Sequence, residues 1–197
     1  MRPAGRLQAI FFILAGFVIS SLSLLFFNVS PVDGMATILR SGFGSYENLA
    51  NTLVVATPLI ILAVGLSIPF TAKVWNVGAQ GQYILGEIFS TWVALRMAPS
   101  YPSFLILLTA LIFGFIGGML WAIPPTLMKL YFGTSEIITT LMMNFVAVYL
   151  LDYLLVGPMQ SKLVGSFNVP TSDQIPRGDM FAHILPGTEA SAALFLG

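Results

Sequence analysis

The chain has 197 residues, of which 57% are hydrophobic and only 8% charged, with eight lysines and arginines balanced by eight acids. A soluble domain carries roughly a quarter charged residues, so this few charges cannot cover a water-soluble globule of this size, and a net charge of zero excludes an electrostatic grip on nucleic acid phosphates. The absence of cysteine removes disulfides, thiolate nucleophiles and Cys-ligated metals, and the single histidine, His183, cannot build a His-rich metal site.

The composition is that of a membrane-embedded chain, and a bilayer core about 30 Å thick needs roughly 20 apolar residues per helix. Residues 7–27 carry no charge and form the first predicted span. Arg2 and Arg6 precede it as they would a signal peptide. The apolar run, however, exceeds the about 7–15 residues of a signal-peptide core and no A-x-A site follows, so it reads as a retained helix. Residues 49–70 form a second uncharged span, interrupted by Pro58, Gly65 and Pro69. The third, residues 76–97, is more polar and contains Gln80, Gln82 and Glu87. Residues 103–123 form an uncharged fourth span, which Pro124 and Pro125 are expected to end, and residues 137–156 form a fifth that contains Asn144 and Asp152. Residues 157–189 read as a long loop in which Pro158, Pro170, Pro176 and Pro186 limit helix formation. Residues 190–197 are a new apolar run, read as the beginning of a sixth span cut short. The alternating pattern of a membrane β-barrel is missing, so the expected fold is all-α: a single polytopic helical membrane domain with five full transmembrane helices plus the start of a sixth.

Orientation follows from lysines and arginines in the loops. With the N-terminus inside, Arg2, Arg6, Lys73 and Lys129 are cytoplasmic and Arg40, Arg96, Lys162 and Arg177 are outside. The count is a tie, but the inside residues lie in shorter segments near helix ends, and two of them flank the first helix. The N-terminus is therefore placed in the cytoplasm, and the 157–189 loop outside.

Charged side chains at mid-membrane cost about 2.5–3.5 kcal/mol on insertion scales, which makes each a functional candidate. Gln80, Tyr83, Glu87 and Thr91 recur three or four residues apart and form one polar stripe on the third span. Thr140, Asn144 and Asp152 fall roughly on a common side of the fifth. Asn76, Gln80, Gln82, Glu87 and Asn144 are thus candidates for a hydrophilic path between helices, the competing reading being interhelical hydrogen bonding. Gly114 and Gly118 form a G-x-x-x-G packing pair. Gly78, Ala79 and Gly81 surround Gln80 at a helix start, the kind of weakened helix end that transporters set beside their substrate. Lys129 and Glu136 belong to the loop before the fifth span, where Thr134 or Ser135 is expected to cap the helix while Glu136 complements its positive end. His183 reads as a solvated loop residue, and Trp75, Tyr101 and Tyr131 as interfacial aromatics.

Two of these stretches carry a resemblance. Trp75-Asn76-Val77-Gly78-Ala79-Gln80-Gly81-Gln82 is similar to the Asn-Ile-Gly-Ala-Glu-Gly-Gln signature of membrane permease subunits of bacterial ABC importers for nucleosides and simple sugars, the ribose and branched-chain amino acid type. Phe132-Gly133-Thr134-Ser135-Glu136-Ile137-Ile138-Thr139-Thr140-Leu141-Met142-Met143-Asn144-Phe145 resembles that family's Gly-x-x-Glu-Val-Ile-x-Thr-x-Met-x-Asn-Tyr pattern. Thr57-Pro58-Leu59, Gly65-Leu66-Ser67 and Val156-Gly157-Pro158 are similar to the family's neighbouring helices, so the likeness covers about residues 50–197. Gln80 stands where an acid is common, Glu87 where a small residue is usual, and Pro124-Pro125 where a glycine is usual.

The resemblance implies part of a type II ABC importer permease fold in a bacterial plasma membrane, taking up a nucleoside or simple sugar. It implies three partners: a cytoplasmic ABC ATPase, a second homologous permease, and a periplasmic or lipoprotein solute-binding protein. No G-x-x-x-x-G-K-[ST] phosphate loop occurs in this sequence, so the chain is expected to hold no cofactor of its own, with ATP on the partner subunit. Two other classes stay open on the residues alone. One is an ion-coupled carrier with Glu87 as the proton site, and the other an intramembrane enzyme with Glu87 and Asp152 as acid and base.

Overall fold

The structure, a computed structural model, describes residues 3–98, 100–161 and 170–175. Among the described residues it contains six α-helices: α1 (Pro3–Leu22), continued by the 3-10 segment Ser23–Phe27, then α2 (Pro31–Phe43), α3 (Tyr46–Thr71), α4 (Ala79–Met97), α5 (Ser103–Phe132) and α6 (Glu136–Val156). Four stretches among the described residues are long and apolar enough to cross a membrane: Ile10–Phe27, Tyr46–Thr71, Ser103–Phe132 and Glu136–Val156. The third expected span is the exception. Its helix, α4, begins only at Ala79 and carries Gln80, Gln82, Glu87 and Arg96, so composition alone does not qualify it. The sixth expected span and His183 lie outside the described residues.

The described residues fall into two compact units, divided between Ala56 and Thr57 inside α3. The first holds a helix that the sequence reading lacks. α2 starts on Ser30, whose hydroxyl accepts the Asp33 N–H at 3.5 Å, has Pro31 in its first turn and Arg40 in its last, each suited to its helix end. Its apolar residues recur at helical spacing and never form an uninterrupted run, so a search for spans passes over them. α2 packs through Gly34 on the Leu24 side chain. Asn48 Nδ2 donates to the Arg40 carbonyl at 2.8 Å and Thr52 Oγ1 to the Gly42 carbonyl at 2.8 Å, tying its C-terminal end to the first turns of α3.

In the second unit α4 packs on both α5 and α6, around a core of Ile84, Leu85, Ile88 and Ala147 with Phe89, Trp121 and Leu151 against it. The α4–α5 contact is a meeting of backbones. A Cβ added at Gly117 would lie 2.7 Å from the Leu85 carbonyl oxygen, one at Gly118 3.1 Å from that of Gln82, and one at Gly86 3.0 Å from that of Gly114. Such approach is possible only where side chains are missing.

α5 does not stop at its prolines. It runs 30 residues, through Pro124 and Pro125, to Phe132, so the expected end of the fourth helix is corrected. Proline deletes a backbone donor, but membrane helices absorb this where neighbouring groups satisfy what is freed. Here the carbonyls that lose their donors are those of Leu120 and Trp121, four residues before each proline, and the turn is held by packing, with Pro125 buried. The true end is Gly133, in the left-handed region at φ 64°, with its N–H donating to the Lys129 carbonyl, a conformation that glycine enters without penalty.

Candidate functional site

The site is built on the segment that joins α3 to α4. α3 ends in a paired reverse bond, Val74 N–H donating to the Pro69 carbonyl at 2.9 Å and Lys73 N–H to that of Phe70 at 3.1 Å. That closure needs a left-handed residue at Lys73, φ 60°, where a glycine would be usual. Residues 74–78 are then non-helical. Asn76 shapes them: its Oδ1 accepts the Gly78 N–H at 2.9 Å, a turn mimicked by a side chain, and its Nδ2 donates to Gln82 Oε1 at 3.3 Å.

A stretch of unpaired backbone inside a membrane protein must find partners elsewhere, and α6 supplies them from one face. Glu136, Thr140 and Asn144 stand four residues apart, hence on one stripe. Glu136 Oε1 accepts the Trp75 N–H at 2.9 Å. Thr140 Oγ1 accepts the Val77 N–H at 3.2 Å. Asn144 makes two bonds: Oδ1 accepts the Gly81 N–H at 2.8 Å while Nδ2 donates to the Val77 carbonyl at 2.9 Å. Gly78 is the N-cap of α4 and offers no side chain. Asn144, from another helix, therefore provides the cap on a first-turn amide that a local serine or aspartate would normally give.

Close packing makes this ladder possible. A Cβ at Gly78 would lie 2.9 Å from the Thr140 Cβ, and one at Gly81 2.9 Å from Trp121 Nε1 and 3.1 Å from Asn144 Oδ1. Trp121 Nε1 itself donates to the Met143 carbonyl at 3.2 Å, closing the network on α5. Thr140 and Asn144 are buried. Beside this network a cleft of about 450 Å³ opens between α3, α4 and α5. Asn76 and Gln82 are the polar side chains on its otherwise apolar lining of Leu62, Leu66, Phe115 and Met119, together with Ala79, Gly114 and Gly118.

The structure thus brings Asn76, Gly78, Ala79, Gly81, Gln82 and Asn144 together, with Gly114 and Gly118 on the facing helix. Gln80 and Glu87 lie apart from them, exposed on the other face of α4, where the half-buried Tyr83 sets its hydroxyl toward Glu87. Asp152 is exposed; at about 100° per residue it stands about 80° around α6 from the buried Asn144 and about 120° from Thr140.

Lys129 and Glu136 are not loop residues. They sit in the last turn of α5 and at the first residue of α6, with Lys129 Nζ 3.6 Å from Glu136 Oε2. The expected cap is corrected as well: Ser135 is the N-cap position of α6 but its side chain makes no capping bond, and Thr134 Oγ1 is buried without a partner among the described residues. Glu136 remains in the first turn, where its charge suits the helix end, and spends one oxygen on Trp75. The sequence reading missed Gly86 and Gly117 in the α4–α5 contact, although small residues three and four apart at 114, 117 and 118 signal it. It also missed Trp121, whose partner is a backbone carbonyl and so leaves no trace in residue types.

Residues 48–186 match the family described as the permease component of branched-chain amino acid transport systems. Among curated proteins, a glucose ABC transporter permease protein of Haloferax volcanii is 33% identical over 181 residues, covering 90% of this chain and 46% of that protein. A nucleoside ABC transporter permease protein of Lactococcus lactis is 28% identical over 152 residues, covering 77% and 42%, and a guanosine ABC transporter permease protein of Bacillus subtilis 28% over 143 residues, covering 73% and 40%. The chain therefore spans less than half the length of these relatives. No solved structure matches it. With most of its length matched, and with both polar motifs inside the matched region, the chain belongs to this family of membrane permease components.

Proposed function

We propose that this chain is part of the permease subunit of an ABC importer for a nucleoside or simple sugar. The cleft beside the Asn76–Gln82 pair carries the reading. Small-molecule sites are typically about 300–1,000 Å³, mainly apolar, with a few placed polar groups. A cleft of about 450 Å³ with two amides on its wall suits a solute that has an apolar ring face and a hydroxylated edge. In this reading Asn76 and Gln82 meet the solute, and Asn144 positions the segment that carries them. Gln80 and Glu87 line the opposite face of α4, toward a second permease subunit or the path shared with it.

The relatives named above support the solute class, since they are named for glucose, nucleosides and guanosine. The proposal includes a fifth span: α4, 19 residues and about 28 Å long at 1.5 Å per residue, reaches across the bilayer core, with its polar side turned to protein or path. It also includes a cytoplasmic N-terminus, a separate ATPase that hydrolyses the ATP, and a binding protein that delivers the solute. Reconstitution of the full-length subunit with its partner proteins tests the reading. Uptake of labelled nucleoside or hexose that requires ATP, and that falls several-fold in Gln82→Ala with assembly intact, is the expected result. ATP-independent uptake driven by a proton gradient would overturn it.

A further inference from the structure

We infer that α2 lies in the plane of one membrane surface, with its apolar stripe seated among the acyl chains of that leaflet. The chain on either side sets its level. Three residues, 28–30, separate the stretch Ile10–Phe27 from α2, and two, 44–45, separate α2 from Tyr46–Thr71, so both ends of α2 are held where one span finishes and the next starts. The flanking residues Asn28, Ser30, Ser45, Glu47, Asn48 and Asn51 are those of a wet boundary. At 13 residues and about 20 Å, α2 is too short to cross a core of about 30 Å.

Its faces agree with this placement. Val32, Ala36, Leu39 and Phe43 recur at steps of four, three and four, which keeps them within one narrow stripe, while Asp33, Thr37 and Arg40 occupy the other side. None of the residues of α2 is buried, and Val32 is 76% and Phe43 68% exposed. At the end of the preceding span Phe26 and Phe27 are likewise exposed, at 89% and 76%. A helix with one apolar and one polar face, anchored at the boundary, buries the apolar side between headgroups and chains. The occupant is therefore lipid, with Arg40 and Asp33 at headgroup level.

The test uses the absence of cysteine from these residues. Leu39→Cys, Phe43→Cys and Thr37→Cys are introduced one at a time into the full-length subunit. Each is labelled with an environment-sensitive fluorophore and placed in phosphatidylcholine nanodiscs that contain a lipid spin-labelled high on its chain. The labels at 39 and 43 are expected to be quenched several-fold more strongly by the lipid than the label at 37, and to resist aqueous dithionite, which reduces the label at 37. Equal reduction of all three labels would put the stripe in water, and shielding of 39 and 43 from both reagents would put protein over it. Either result overturns the inference. Phe43 serves as an independent position should the Leu39 variant fail to fold.

Discussion

Asn144 does two jobs with one amide, and its two substitutions separate them. Asn144→Leu leaves the Gly81 N–H and the Val77 carbonyl without the partners they now have at 2.8 and 2.9 Å. Orphaning the buried Gly81 N–H costs about 1–3 kcal/mol, with less from the part-buried Val77 carbonyl, so the variant should show a lower melting temperature and a smaller folded fraction on size exclusion in detergent. Asn144→Asp keeps the acceptor for Gly81 but sets an oxygen against the Val77 carbonyl, and should be unstable in the same assay; a wild-type melt for both would remove the ladder from the stability of the fold. Glycines give a graded series. A methyl at Gly117 meets the Leu85 carbonyl at 2.7 Å, whereas one at Gly114 meets its nearest neighbour at 3.4 Å. Gly117→Ala should therefore cost about 1–3 kcal/mol, as over-packing does, and Gly114→Ala clearly less, with equal melts arguing against a rigid α4–α5 contact. Residue types alone pointed to Asn144, Thr140 and the glycines at 78, 81, 114 and 118 as special, because amides and close-set small residues stand out inside a span. What each touches was not legible, since the partners are backbone groups that every residue possesses.

Helix α5 and its hairpin to α6 show where element boundaries escaped the pattern. Two consecutive prolines read as a stop because proline in a helix interior costs about 3 kcal/mol. The helix nonetheless continues, because the turn they weaken is held by its surroundings. Pro124→Ala, at an exposed position, restores a donor within a helix that is already formed; it should raise the melting temperature, and a fall would mean that the missing bond is needed for the local shape. At the other end of the hairpin, Glu136 serves both Trp75 and Lys129, and the two contacts differ in kind. Lys129 is half-exposed, and exposed ion pairs contribute little, so Lys129→Ala should melt close to wild type. Glu136→Gln, which keeps an acceptor for Trp75, should lie below it and Glu136→Ala lowest. The reverse order would make the charge, rather than the backbone bond, the important contact. The amphipathic α2 was missed for the opposite reason to the prolines: its signal is a period, and a search for long apolar runs is blind to periods.

For the whole chain, apolar run length made the helical membrane class legible, and four spans come through by length and composition. The fifth does not, because the polar residues that make α4 interesting are the ones that lower its hydropathy. Single cysteines at Lys73 and Ser100 decide it. If α4 crosses with the N-terminus inside, an impermeant thiol reagent applied to sealed cells should label position 100 and reach position 73 only after permeabilisation; both positions on one side would mean that α4 does not cross, and labelling of 73 alone would reverse the proposed orientation. The length of α5 has a further consequence. Beyond its contact glycines at 114, 117 and 118 the helix stays anchored, through Trp121 on the Met143 carbonyl and through the buried Pro125, and only residues 133–135 separate its last turn from Glu136. α5, α6 and the 74–78 segment are thus fastened to one another at several points, so that a displacement of either helix would be felt at Trp75, Val77 and Gly81 and at the wall of the cleft.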